Sequence, residues 1–238
     1  MTRHARPEVV FFDVGMTLLY TEPSIADIYH EEAKAHGLEV TAARMRAALE
    51  QQWLQFARPY FHQPQNHVTS HAEETRLWRE LHRRVAAAID DRFDATGWID
   101  GIEQRLGQPR TWRLFADALP TLRTLADRGV RLAVISNWDL RLRGLLSALE
   151  LDAHFEHLQI SAETGYRKPH PAIFLRALRA MRVHASRAWH VGDNELDDIQ
   201  GASAIGVRAF HLQRDGASGA PSARGERVAS LLELLDHC

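Results

Sequence analysis

The chain has 238 residues, 45% of them hydrophobic and 25% charged, with 9 Pro and 14 Gly, which is enough apolar material for a buried core and excludes fibres and low-complexity chains. Its 29 basic and 31 acidic residues leave a formal charge of −2, so nothing marks nucleic acid as a partner. No apolar run approaches the roughly 20 residues of a membrane span, and the start MTRHARPEVVFFDV lacks the hydrophobic stretch of a secretory leader, so no membrane is expected and the expected location is cytoplasmic.

In chain order, the first element is the run Val9, Val10, Phe11, Phe12. It predicts a strand buried on both faces that closes at Asp13. From Ser24 to about Leu106 the period turns helical, with Ile25, Ile28, Tyr29 and Ala33 on one face and Leu77, Leu81, Val85 and Ile89 on another. The stretch Ala57 to His71 carries Pro59, Pro64 and several aromatics and reads as a loop between helix pairs. Its His62, His67 and His71 lack metal-ligand spacing and read as solvated. Beyond Gln108 strands and helices alternate: helix Pro120 to Arg128, strand Arg131 to Ile135, helix Leu140 to Leu149, strand Leu158 to Ser161 and helix Pro171 to Met181. Strand Ala188 to Val191, helix Leu196 to Ala204, strand Val207 to Leu212 and a closing helix from about Arg227 to Leu235 follow. Repeated βα units predict an α/β fold, a Rossmann-like parallel sheet covered on both faces. The core would comprise residues 1–20 and 108–238, with a small α-helical domain, residues 21–107, inserted after the first strand.

The carboxyl ends of parallel strands lie side by side, so polar residues there converge. These are Asp13 and Thr17 after the first strand, Ser136 and Asn137 after the second, and Gly192 and Asp193 after a later one. Two carboxylates in one crevice repel unless a cation joins them, a pairing that suits magnesium. The one cysteine, Cys238, removes any Cys-based metal site. Lysine stands only at Lys34 and Lys168, whereas arginine is abundant; Lys168, just before a helix, is placed to bring a compact positive charge to the crevice. Ser136, Thr17 and free backbone amides would hydrogen-bond an anion.

Four segments carry a resemblance: VVFFDVGMTLLY, VISNWD, the lysine of GYRKPHPAIF, and HVGDNELDDIQGASAIG. In this order and spacing they resemble the four motifs of the haloacid dehalogenase-like hydrolase superfamily, and the likeness covers the whole core. The resemblance implies that Asp13 is a nucleophile, Lys168 its catalytic partner, and Thr17, Ser136 and Asn137 ligands of a phosphoryl group. It implies a magnesium held by Asp13, Gly15, Asp193 and Asp198, with Asp197 at a variable position and ranked lower. The implied reaction is phosphate transfer from a small phosphorylated metabolite to Asp13, followed by hydrolysis. The oligomeric state stays open.

The sequence also departs from the family pattern. Family phosphatases usually carry a second aspartate two residues after the nucleophile, which protonates the leaving oxygen; here that position is Gly15. General acid catalysis is worth ~10² to 10⁴ in rate, so good leaving groups suffer least. Glu22, Asp139 or a histidine of the inserted segment are the alternative acids. Relatives that split carbon–halogen or carbon–phosphorus bonds also lack the second aspartate, so such a hydrolase is an alternative. Met16 stands where glycine is usual, which leaves a third alternative, a catalytically weak phosphate-binding regulatory module. Trp138, next to the phosphate-binding pair, either lines the substrate pocket or packs beneath the inserted domain.

Overall fold

The computed structural model describes residues 6–214 and 225–238; the first five residues of the expected core lie outside that range. The chain divides into two compact units, Met1–Tyr20 with Leu114–Cys238, and Thr21–Arg113. The second boundary falls beyond the expected residue 107, because Thr111 Oγ1 donates to the Arg105 carbonyl (2.7 Å) and Trp112 Nε1 to that of Leu106 (2.8 Å), holding the next residues on the last inserted helix.

The first unit is α/β. Its strands are β1 (Val9–Phe12), β4 (Arg131–Ser136), β5 (His157–Ile160), β6 (Ala188–Gly192), β7 (Arg208–Leu212) and β8 (Glu226–Val228); β2 (Leu19–Thr21) and β3 (Trp112–Leu114) form a separate two-stranded ribbon that the sequence pattern did not reveal. Among the described residues the main sheet has the order β5-β4-β1-β6-β7-β8, and its pairs are parallel. All four residues of β1 are buried, as a strand covered on both faces requires. Val9 and Phe11 join Ala133, Ile135 and the apolar face of helix Pro171–Ala180 in one core cluster. Val10 and Phe12 point to the opposite face. β1 lies between β4 and β6, and later strands are added outward on either side, so the carboxyl end of β1 is the point where the strand order reverses. In open parallel sheets that point forms a crevice.

Two expected helices differ. Arg227 and Val228 belong to β8, because Glu226–Val228 pairs with β7 and Arg208 reaches Glu226 (2.7 Å); the 3₁₀ helix Leu231–His237 follows, started by Ser230 Oγ, which accepts from Leu232 N–H (3.2 Å). The helix expected from Leu196 begins as a π-helical turn, Glu195–Gln200, before α-helix Gly201–Ser203.

The second unit is helical, with Ile25–Ala35, Ala42–Gln52, His71–Ile89 and Thr96–Leu106 packed around Tyr29, Met45, Leu81, Val85 and Trp98. Trp98 is fully buried and its indole N–H donates to the Tyr29 carbonyl (3.1 Å). The expected loop is itself partly helical, over Arg58–Phe61 and Pro64–His67; Pro64 lies in a first turn, where a missing N–H costs nothing, and Pro59 lies in the stretch that follows directly on the π-helical turn Trp53–Ala57, itself an extension of Ala42–Gln52. His67 is buried and bonded to the Phe61 carbonyl (2.9 Å), not solvated. No helix among the described residues is long and apolar enough to cross a membrane.

The closing segment is tied to the first unit by Asp117. Its carboxylate accepts from Arg214 Nη1 (2.8 Å) and Nη2 (3.0 Å), Ser230 Oγ (2.8 Å) and Leu231 N–H (2.9 Å). Burial pushes this carboxyl up, but these hydrogen bonds outweigh it and hold the group below its ordinary value. Its contribution to stability is therefore present above the unfolded pKa and lost as pH falls through the folded one. Asp117→Asn is expected to cost about 1.5–3 kcal/mol at pH 7, a gap from the unaltered protein that closes below about pH 4; urea unfolding across that range measures it.

Candidate active site

Three strand ends meet in the crevice. Asp13 directly follows β1, its N–H donating to the Val191 carbonyl of β6 (2.9 Å). Ser136 is the last residue of β4, and Asp193 directly follows β6. The Ser136 hydroxyl donates to Asp13 Oδ1 (3.0 Å), and Lys168 Nζ lies 2.6 Å from the same oxygen. Lys168 Nζ also donates to Asp198 Oδ1 at 2.6 Å, so one buried ammonium joins two buried carboxylates. Gly192 allows this approach: a Cβ there would sit 2.2 Å from Asp198 Cγ.

Asp198 accepts two hydrogen bonds besides that of Lys168. His190 Nε2 donates to Oδ1 (2.8 Å), and the Asn194 N–H donates to Oδ2 (3.1 Å). The π-helical turn, which Asn194 Oδ1 caps by accepting from the N–H groups of Leu196 and Asp197 (3.0 Å each), brings both aspartates inward. Burial disfavours the Asp198 carboxylate, yet Lys168 and His190 hold its pKa well below the usual range. Burial pushes Asp13 up against the pull of Lys168, with the charge of Asp198 adding to the rise. Asp193 is pushed up to about 8, by burial first and then by Asp13 and Asp198. Burial and the Asp198 charge raise Asp197 to about 7, and its Oδ1 is buried without a hydrogen-bond partner. Lys168 keeps its proton: burial opposes the ammonium, and the two carboxylates more than offset this.

This concentration of negative charge fits a cation. Oxygens of Asp13, Asp193 and Asp198 lie within 4.8 Å of one another, a hard-oxygen set of the type magnesium takes. Asp193 is raised by burial first and then by Asp13 and Asp198, whose charge Lys168 only partly offsets.

Thr17 is fully buried and its Oγ1 has no hydrogen-bond partner. The loop that carries it is fixed by Arg214, whose Nη2 donates to the Thr17 carbonyl (2.8 Å). Asn137 lies in the same crevice, but both ends of its side chain brace Lys168: Oδ1 accepts from the Lys168 N–H (2.7 Å) and Nδ2 donates to its carbonyl (3.1 Å). Gly15 forms a bridge with Leu19, and a Cβ on it would lie 3.3 Å from Trp138 Cζ3. Met16 adopts φ 57° with its side chain exposed, so the turn takes the left-handed conformation that glycine prefers although a methionine stands there. Of the alternative acids, Asp139 is bound to Arg141 (N–H 2.8 Å, Nε 2.9 Å) and Glu22 is paired with Arg113 (3.0 Å).

His190 escaped the sequence reading as a functional residue, although a histidine inside a wholly buried strand was a signal. Its Nδ1 has no hydrogen-bond partner, and its ring meets that of Phe174 in a T-shaped contact at 5.4 Å.

Comparison with known proteins gives concordant findings. A family model described as haloacid dehalogenase-like hydrolase matches residues 7–206. The human haloacid dehalogenase-like hydrolase domain-containing protein 3 is 36% identical over 213 residues, 88% of this chain and 83% of the relative. A phosphoserine phosphatase from Thermus thermophilus is 28% identical, covering 96% of this chain and 98% of that one. The solved structure of a 2-haloacid dehalogenase from Pseudomonas syringae has a TM-score of 0.63 at 27% identity, covering 97% of each chain.

Lys168→Met leaves Asp13 and Asp198 facing each other uncompensated, which is expected to cost about 3–5 kcal/mol at pH 7. With both carboxyls then raised above their unfolded values, stability recovers as pH is lowered towards 5, opposite to ordinary acid unfolding; urea midpoints at the two pH values in chelator check this. Met16→Gly removes a side chain from a left-handed position and is expected to raise stability by about 0.5–1 kcal/mol in the same assay.

Proposed function

Because this chain belongs to the haloacid dehalogenase-like hydrolase family and is a hydrolase, we propose that it is a phosphatase for a small phosphorylated metabolite in the cytoplasm, working through an aspartyl-phosphate on Asp13. The observation that carries this is the bonding of Asp13: Oδ1 takes the hydrogen bonds of Ser136 and Lys168, which leaves Oδ2 to attack. In that reading Asp13 Oδ2 forms a bond to phosphorus as the bond to the leaving oxygen breaks, and the leaving group departs with the electron pair. Water then adds to the phosphoryl group and returns the carboxylate and inorganic phosphate. Lys168 offsets charge on the phosphoryl oxygens and the Thr17 hydroxyl donates to one of them. Asn137 acts by holding Lys168 in place. Magnesium, held by Asp13, Asp193, Asp198 and the main-chain oxygen of Gly15, would add positive charge at those oxygens. In this reading residues 21–113, the inserted helical unit, correspond to the cap domain.

A relative named as a phosphoserine phosphatase supports this reading. With Gly15 in the acid's place and Asp139 and Glu22 bound to arginines, none of these three positions supplies the acid for the leaving oxygen. Activated esters are therefore favoured.

Gly15 and the likeness to a 2-haloacid dehalogenase favour a second reading, in which Asp13 displaces halide from carbon and no acid is needed. The cation-ready acidic cluster argues for the first.

With magnesium, p-nitrophenyl phosphate is expected to turn over, an alkyl phosphate about 10²- to 10⁴-fold more slowly, and Asp13→Asn to reduce both to background. Failure of any phosphate ester to turn over above the Asp13→Asn control, with Asp13-dependent halide release from a 2-haloacid, would establish the second reading instead.

A further inference from the structure

β6 is buried along its whole length, and its middle residue, His190, is fully buried. A polar ring in such a place costs free energy unless its hydrogen bonds are met. Packing asks only for a ring there, since the contact with Phe174 is T-shaped at 5.4 Å and a phenylalanine would make a similar one. What the imidazole adds is one hydrogen bond. Its Nε2 donates to Asp198 Oδ1 (2.8 Å), while Nδ1 is buried without a hydrogen-bond partner. The strand thus carries an orphaned nitrogen at the same position that presents a donor to Asp198.

The placement of that donor decides how Asp198 can act. Each carboxylate oxygen has two lone-pair sites. On Oδ1 both are taken, by Lys168 Nζ (2.6 Å) and by His190 Nε2 (2.8 Å), whereas among the described residues Oδ2 accepts only the Asn194 N–H (3.1 Å). Asp198 therefore belongs to the acidic cluster with Asp13 and Asp193 as a group with one oxygen to give. Lys168 alone does not enforce this, because its flexible stem carries an ammonium shared with Asp13; the imidazole stands on a paired central strand. One-oxygen donors suit magnesium, which demands near-ideal octahedral geometry, and carboxylates that offer both oxygens suit calcium. We propose that His190 is a positioning residue that fills the second site of Asp198 Oδ1, holds Asp198 to one-oxygen coordination and so tunes the acidic cluster to magnesium over calcium. This rests on the magnesium-dependent reading above and adds to it a residue that acts through Asp198.

Calorimetric titration of the full chain with magnesium, and separately with calcium, tests this without turnover. His190→Phe keeps the ring and removes the donor; it is expected to weaken magnesium binding roughly 10- to 100-fold and calcium binding less than about threefold. His190→Gln, whose side chain can carry an N–H to the place of Nε2, is expected to recover magnesium binding to within about threefold of the unaltered protein. Urea midpoints establish that each variant compared is folded. If the phenylalanine variant fails to fold, His190→Asn, one methylene shorter than the glutamine variant, takes its place with the same expectation. Magnesium binding unchanged without the donor, an equal loss for both cations, or no recovery in His190→Gln makes His190 a packing residue and overturns the inference while leaving the phosphatase reading standing. Binding of neither cation to the unaltered protein overturns the magnesium-dependent reading and this inference with it.

Discussion

The site depends on one buried ammonium. Lys168 Nζ stands 2.6 Å from each of two carboxylates, Asp13 after the central strand and Asp198 from the turn after β6. Neither carboxylate is tolerable in so little water without that charge. Much of the surrounding polar structure serves to keep the triplet together: Asn137 grips the main chain of Lys168, Ser136 shares Asp13, and His190 with the Asn194 N–H shares Asp198. An arginine-rich chain keeps lysine here because a compact point charge fits between two oxygens, where a guanidinium fork needs more room.

The sheet makes this possible without distortion elsewhere. With β1 between β4 and β6, residues more than a hundred positions apart end their strands side by side. The C-terminal segment joins in through Arg214, which binds Asp117, the carbonyl of Thr17 and the face of the Phe115 ring (3.7 Å). The loop after Asp13 is therefore held by the C-terminal segment. Local irregularities fall where the charges meet: Met16 in a left-handed conformation, a π-helical turn beneath Asp197 and Asp198, and Gly192 where no Cβ fits. π-Helical turns are frequent at functional sites because the wider turn redirects side chains.

The electrostatics are lopsided in a way that bears on chemistry. Carboxylates outnumber the ammonium in the crevice, a balance that suits a divalent cation, and position 15 carries no carboxyl. In the proposed phosphatase reading, the absence of a carboxyl at Gly15 links the site to a preference for activated esters.

The sequence by itself determined the fold class, the order of the strands along the chain and the identity of the charged residues at their ends. These rest on short-range signals: apolar runs, helix periodicity, turn residues and motif spacing. Elements whose stability comes from pairing with distant segments were illegible: the ribbon β2 with β3, and β8, whose Arg227 and Val228 read as helix until β7 lay beside them. The same holds for the site. Asp13, Ser136, Lys168, Asp193 and Asp198 were readable from the motifs. That Asn137 braces Lys168, that a buried His190 bonds Asp198, and that Trp138 lies against Gly15 were decided only in three dimensions, because hydrogen bonds and ring contacts between residues far apart in the chain leave no local pattern.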